Sequence, residues 1–504
     1  MKPPNYLNPI IPLASFMLIS FSALFIFPTY FVISSKSSPR GAYLHIPFCR
    51  RRCYYCNFSV KVVGDRPATI QVESVQYTNI LLNDIIRTFG NMNEKVALET
   101  VYFGGGTPSL LPLDCVERII KTIETEVGIH PDAEITFEMD PGTFDVQKLN
   151  SLANIGINRV SIGIQSFDEN ILRSIGRPHN HIESWQAIEK IHSSIINNFS
   201  IDLISGLPNL NIKSWETTLS DAIKSEANHI SIYDLQIEEK TAFYHWYNKN
   251  AYGGHIHKRS PLPTEEETVD MYKLASKLLT QNSRYNHYEI SNYAKKGYES
   301  RHNLKYWDVM NSSYYGFGMS AASFVSNRRF TRPDTMAGYA MFVKGNHRDE
   351  DCNEDTDPPT TANELPLLPL PDSEGSLEVD KESQSCEVDV LEFLMLSLRT
   401  ATGLNLSTFL RAYGPSSCLR LLESSRTYID TDLAAIYRRP VPYAKGDADS
   451  GSVARLITAI TEGRSRGFDA DGVSCLDGWF LRLTDPDGFL VSNDVISSLY
   501  ASLA

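Results

Sequence analysis

The chain has 504 residues, 42% of them hydrophobic, enough for a sizeable core and more than one domain. Its net charge of −13 sits almost entirely in residues 346–388, where 13 acidic and 2 basic side chains supply −11 and leave −2 for the rest. That balance excludes a basic nucleic-acid surface, and eight cysteines without a paired framework argue for a reducing compartment over secretion.

In chain order, the first feature is an apolar run over residues 9–34, flanked by Lys2, Lys36 and Arg40. It is long enough to span a bilayer. It reads as a targeting leader or membrane anchor (residues 1–40) ahead of a domain that starts near Gly41. The expected locations are the cytoplasm or an organelle, plastid or mitochondrion, with membrane contact through 9–34.

From residue 41 to about 240, short apolar runs alternate with longer helical patterns. The predicted strands are Ala42–Ile46, Thr100–Phe103, Glu134–Phe137, Arg159–Gly163, Ser200–Leu203 and His229–Tyr233. The predicted helices cover about 69–88, 112–125, 145–154, 168–192 and 212–225. This alternation predicts an α/β fold built as an open (β/α)6 partial TIM barrel, with its site in the loops after the strands.

Residues 241–345 extend the barrel, with a helix over Thr264 to Gln281 whose N-terminus is favoured by Glu265, Glu266 and Glu267. The acidic, Pro-rich stretch 346–388 reads as a disordered insert. Residues 389–504 read as a small winged-helix-like C-terminal domain. It begins with a helical pattern over 389–425, is broken by a low-order insert at about 431–474, and ends in two strands around an Asp-Gly turn and a helix.

The chemistry gathers after the predicted strands. Behind the first lies YLHIPFCRRRCYYCNF, with Cys49, Cys53 and Cys56 spaced Cys-x3-Cys-x2-Cys. Thiolates that close suit one soft metal centre, an iron–sulfur cluster or zinc. Structural zinc takes four protein ligands, whereas three cysteines leave one corner of a [4Fe–4S] cluster open. After the second strand, Gly104-Gly105-Gly106-Thr107 strips side chains from a binding edge. After the third, Glu138 can accept from a ribose, while Asp140-Pro141-Gly142 reads as a turn. Gln165 ends the fourth strand, Arg177 follows in IGRPH, and Asp202 sits on the fifth.

Together these motifs resemble the radical S-adenosylmethionine superfamily. Within it they resemble the porphyrin branch of oxygen-independent coproporphyrinogen III dehydrogenases and HemW haem chaperones. VYFGGGTPS, FEMDPGT, RVSIGIQSF, DLISGLP, HYEISNYAKKGYESRHNLKYW and LRLTDPDGFLVSNDVI carry the resemblance beside the cysteine array. It implies that Cys49, Cys53 and Cys56 hold three irons of a [4Fe–4S] cluster, and that S-adenosylmethionine binds the fourth. It implies that Tyr43, Gly105, Gly106, Thr107 and Glu138 contact this cofactor, and that Gln165, Arg177 and Asp202 match positions for a second cofactor molecule. An electron donor such as ferredoxin or flavodoxin is the partner such chemistry needs.

Two features divide the branches. The dehydrogenases carry a further cysteine two residues after the third; here that position is Phe58. Residues 302–307 read His302-Asn303-Leu304-Lys305-Tyr306-Trp307, the HNxxYW signature for which a haem-binding role is proposed. From the residues alone, His302 is either a haem ligand with aromatic neighbours or a core histidine. With the resemblance, the expectation is a haem chaperone that delivers haem to an acceptor protein. The alternatives are a coproporphyrinogen III dehydrogenase and a haem-binding regulatory protein without radical chemistry.

Overall fold

The computed structural model describes residues 38–90, 92, 95–247, 261–281, 283–308, 313–325, 328–345, 389–438, 450–465 and 476–503. The apolar run 9–34 and the acidic stretch 346–388 lie outside them. Among the described residues, no helix is long and apolar enough to cross a membrane.

Six strands form at the expected places: β1 Gly41–Ile46, β2 Leu98–Gly105, β3 Ile129–Met139, β4 Arg159–Gln165, β5 Asn198–Ser205 and β6 His229–Asp234. All pair in parallel with their neighbours in that order. The sheet is larger than the six expected strands. On the far edge, β7 Tyr285–Glu289 and β8 Asn292–Lys295 form an antiparallel hairpin, with β8 against β6. On the near edge, β9 Tyr315–Phe317 pairs in parallel with β1. The nine-stranded order is β9-β1-β2-β3-β4-β5-β6-β8-β7.

The strands owe their places to a strict two-residue alternation. Leu44, Val101, Phe103, Phe137, Val160, Ile162, Ile201 and Ile230 are buried on one face. They pack with the helices α1 Pro67–Gly90, α2 Leu113–Glu126, α3 Val146–Ile155, α5 His181–His192 and α6 Ile212–Lys224. The other face is polar yet also buried: His45, Thr100, Glu134, Thr136, Arg159, Ser161, Ser200, His229 and Ser231. A parallel sheet covered on both sides by helices reads as continuous apolar runs; this one instead keeps a polar concave face.

The predicted helix over 168–192 is two helices. α4 Glu169–Ser174 ends at Ile175, and α5 starts after the Asn180–Glu183 capping box. The break lies at Gly176, in the left-handed region at φ 75, followed by Arg177 and Pro178. Glycine takes that conformation freely and proline resists a continuing helix. The helix expected over Thr264 to Gln281 is α-helical over Glu265–Ser276, with Thr264 and Glu267 closing a capping box, and continues as a π-helix over Lys277–Gln281.

The C-terminal domain is largely helical, with a small antiparallel sheet of Leu404–Asn405, Trp479–Leu483 and Ala434–Arg438. Two expectations need correction. The stretch 431–474 is not low-order throughout. Ala434–Arg438 pairs with Trp479–Leu483 along its length, and a helix covers Ser450–Ser465 with Val453, Leu456 and Ile460 buried. Nor does Asp487-Gly488 turn between two strands: it starts a helical turn, Asp487–Leu490, ahead of the helix Ser492–Leu503. A Cβ at Gly488 would lie 2.1 Å from the Leu433 carbonyl oxygen, so this backbone is pressed against the Ala434 strand. The domain docks on the β7–β8 hairpin. Ile290 N–H donates to Arg399 O at 3.0 Å, Ala401 N–H to Tyr288 O at 2.9 Å, and His287 meets Asp485 at 2.8 Å.

Candidate functional site

The three cysteines occupy one braced loop after β1. Its entry strand Phe48–Cys49 pairs with Lys61–Val62. Cys56 N–H donates to Cys53 O at 3.2 Å, and the Arg52 guanidinium reaches the carbonyls of Cys56 and Phe58 at 3.2 and 2.8 Å. His45 ties the loop back to β1 through Ser59 O at 2.8 Å. Tyr54 N–H donates to Ile175 O, just before the helix break. All three cysteines are half-buried free thiols. Burial pushes the thiols of Cys49 and Cys56 up, to about 12 and about 11.

The glycine edge has a steric cause at each position. A Cβ on Gly106 would lie 2.7 Å from Phe48 O and 2.9 Å from Ile46 O, both backbone atoms of the cysteine loop's entry. At Gly105, φ is 109 and a Cβ would strike the His45 ring at 2.5 Å. Gly104 keeps open the space above Tyr43, Tyr102 and Glu138, whose side chains a Cβ would meet at 2.9 to 3.0 Å.

Glu138 is the acceptor of this edge. Its Oε1 accepts from Tyr102 OH at 2.8 Å and its Oε2 from Gly105 N–H at 3.1 Å. Burial, then the nearby Asp202 carboxylate, push it up to about 7 against those two donors. The Tyr43 ring stacks on Tyr102 at 6.1 Å, and its hydroxyl lies 3.2 Å from His45 Nδ1.

Arg177 points into the site because the helix breaks beside it. Its Nη2 donates to Asp140 Oδ1 at 2.6 Å and to Gly163 O at 2.7 Å, and its Nη1 lies 3.5 Å from Cys53 Sγ. Its buried Nε has no hydrogen-bond partner among the described residues. Gln165, at φ 67, brings its amide beside Gly163, where a Cβ would meet Gln165 Nε2 at 2.9 Å and Arg177 Nη2 at 3.2 Å. Asp202 pairs with Gly163 in the sheet register, but its carboxylate is held by Ser161 at 3.0 Å and Ser200 at 3.4 Å. Arg177 and Gln165 are thus adjacent, while Asp202 is engaged by the serines of the barrel lining.

His302, expected either as a haem ligand or as a core histidine, is packed inside the protein. It is 1% exposed and lies under the barrel, at the opposite ends of the strands from the cysteines. Both ring nitrogens are hydrogen-bonded, Nδ1 to Thr100 Oγ1 at 2.9 Å and Nε2 to Tyr306 OH at 2.9 Å. The ring stacks on Tyr102 at 5.0 Å. Burial, then the positive charges of Lys305 and Arg159, hold it down at about 3. Its helix, Arg301–Trp307, is seated on Glu134, which accepts from the N–H groups of Arg301 and His302, both at 3.0 Å. Both nitrogens are thus engaged within the protein in this arrangement.

Sequence reasoning passed over Tyr102, His45 and Asp140. Strand parity was the available signal for the first two, since they share the inward face with Tyr43 and Glu138. No local signal separated Asp140 from a turn residue.

The donor set is three soft thiols, the kind an iron–sulfur cluster takes. Among the described residues, no group of three His, Cys, Asp or Glu side chains could hold one metal ion. A four-iron cluster takes its cysteines at separate corners, and three soft thiols under a stripped glycine edge suit it.

Comparison with known proteins accords with this geometry. The family model for the radical SAM superfamily matches residues 43–222. The heme chaperone HemW of Synechocystis is 34% identical over 465 residues, 92% of this chain and 97% of that relative. The chain belongs to the HemW family. HemW of Escherichia coli is 33% identical over 287 residues, 57% of this chain and 70% of the relative. Among solved structures, the radical SAM enzyme coproporphyrinogen III oxidase (HemN) of Escherichia coli superposes with a TM-score of 0.51 at 22% identity, over 61% of this chain and 70% of that one. That likeness shows the fold. Membership of the HemW family, and so of the radical SAM superfamily, implies a [4Fe–4S] cluster and S-adenosylmethionine.

Proposed function

We propose that this chain is a haem chaperone that carries a [4Fe–4S] cluster and S-adenosylmethionine and passes haem to an acceptor protein. The observation that carries the reading is similarity over 97% of the length of a relative named for that activity. Phe58 supports it: the residue stands where the dehydrogenases have a further cysteine, and it is 44% exposed at the rim of the cysteine loop.

Cys49, Cys53 and Cys56 would ligate the cluster. Tyr43, Gly105, Gly106, Thr107 and Glu138 would hold S-adenosylmethionine, Glu138 as an acceptor already oriented by Tyr102 and the Gly105 N–H. Gln165 ends β4, Arg177 follows the break after α4, and Asp202 lies within β5. When bound, the pair supplies one-electron reductive chemistry, and an electron donor such as a ferredoxin or flavodoxin would feed it. The polar barrel lining excludes bulk water while leaving hydrogen-bond partners for a polar cofactor. Haem binding in this reading does not run through His302 in its observed packing.

The second reading is oxygen-independent coproporphyrinogen III oxidation, favoured by the complete glycine–Glu138 edge. One anaerobic experiment separates them. The reconstituted full chain is given S-adenosylmethionine, coproporphyrinogen III and a one-electron reductant such as reduced flavodoxin, and in parallel is titrated with haem and mixed with an apo-haem protein. Haem uptake and transfer without decarboxylation are expected. Stoichiometric conversion to protoporphyrinogen IX overturns the chaperone reading.

A further inference from the structure

The surroundings of Asp140 are not those of a solvated turn. Its N–H donates to Ser109 Oγ at 3.2 Å, and its carbonyl accepts from the Thr143 hydroxyl at 2.6 Å. Only 17% of its side chain is exposed. Oδ1 accepts from Arg177 Nη2 at 2.6 Å and Oδ2 accepts from the Thr107 hydroxyl at 3.2 Å. Each partner faces a different cysteine. Thr107 Oγ1 lies 3.7 Å from Cys49 Sγ, and Arg177 Nη1 lies 3.5 Å from Cys53 Sγ. The two cysteines are therefore joined by a path that leaves their loop, crosses the end of β2 and the loop after β3, and returns from the helix break.

Resting on the cluster reading above, the geometry points to Asp140 as a positioning residue that fixes the two groups facing the Cys49 and Cys53 sulfurs and sets the charge they present to a cluster. Thr107 has one hydroxyl proton, and Asp140 draws it away from Cys49. Arg177 has one positive charge, and Asp140 balances it beside Cys53. The potential of an iron–sulfur cluster rises with positive charge nearby and with hydrogen bonds to its sulfurs. Asp140 opposes both effects, so it favours the strongly reducing cluster that one-electron cleavage chemistry requires.

The test is a redox titration of the reconstituted full chain followed by electron paramagnetic resonance, with iron counted per chain. Asp140→Asn keeps the shape, leaves Arg177 unbalanced and turns an amide N–H toward Thr107, freeing its proton for Cys49. Its midpoint potential is expected to shift upward from the parent at equal iron content. Arg177→Gln is expected to shift it downward. An unchanged potential in Asp140→Asn with a full cluster overturns the inference, as do shifts of one sign in both variants. Should Asp140→Asn fail to fold by circular dichroism, Arg177→Gln decides alone: a potential unmoved or raised there overturns the inference. A parent chain that takes up no iron would instead sink the cluster reading, and the inference with it.

Discussion

Replacing His302 by alanine separates a core histidine from a haem ligand. In the observed packing the ring satisfies two buried hydroxyls, Thr100 and Tyr306, and stacks on Tyr102. Stranding a buried hydroxyl costs roughly 1–2 kcal/mol, and losing an aromatic stack costs about 1 kcal/mol. His302→Ala should therefore destabilise the barrel by about 3–5 kcal/mol, before any cost of the cavity. A histidine waiting for haem would sit near solvent, and its removal would change stability by within about 0.5 kcal/mol. The assay is urea denaturation of the haem-free chain, with a haem titration at low denaturant. The expected result is a large loss of stability and an unchanged haem affinity for the folded fraction. His302→Gln, which keeps one of the two hydrogen bonds, should fall between. A stability near the parent's, joined to a weakened haem complex, would refute the core assignment.

Glu289 is buried at the docking hairpin beside Asn292, and burial holds it up at about 7 against 4.5. The folded chain binds that proton more tightly than the unfolded chain. Its stabilisation is therefore complete below pH 4.5 and is lost as pH rises to 7, a change of at most roughly 3 kcal/mol. Glu289→Gln should flatten this part of a stability–pH profile, and an unaltered slope would count against the burial argument. Gly106→Ala forces a Cβ onto the backbone oxygens of Phe48 and Ile46. It should sharply reduce iron uptake on reconstitution, and parent-like loading would show that the strand ends can separate. Tyr102→Phe removes only the hydroxyl that donates to Glu138. At about 1.4 kcal/mol it should weaken S-adenosylmethionine roughly tenfold by calorimetry, and equal affinity would dismiss Glu138 as an oriented acceptor.

The six parallel strands were legible because alternation and the motif at each strand end agree. The three edge strands were not, because Tyr315–Phe317 is short and its partner β1 lies far away in sequence. Val453, Leu456 and Ile460 do carry a helical spacing, but the Gly, Ser and Asp around 444–452 outweighed it. The motifs of the mouth could be read because each follows its strand locally. HNxxYW leaves both readings of His302 open, because it says nothing about which face the ring turns to. That face is set by Thr100, 202 positions away, and by the Glu134 seat under its helix. Arg177 could be placed after a strand, but its aim depends on how the turn at Gly176 packs against Tyr54 of the cysteine loop.

The signature helix and the cofactor edge are thus one structure read from two ends. His302 packs on Tyr102, Tyr102 donates to Glu138, and Glu138 accepts from Gly105 beside the cysteine loop. Each link spans one step up the polar face of the sheet. The Arg301–Trp307 helix is thus joined to the mouth by a continuous line of contacts through the Tyr102 ring. This gives the HNxxYW motif a physical reason to accompany the cysteine array that does not depend on haem. Two tyrosines hold the histidine ring: Tyr102 stacks on one face, and Tyr306, edge-on at 5.2 Å, bonds to Nε2. The same Tyr102 ring that stacks on His302 donates its hydroxyl to Glu138.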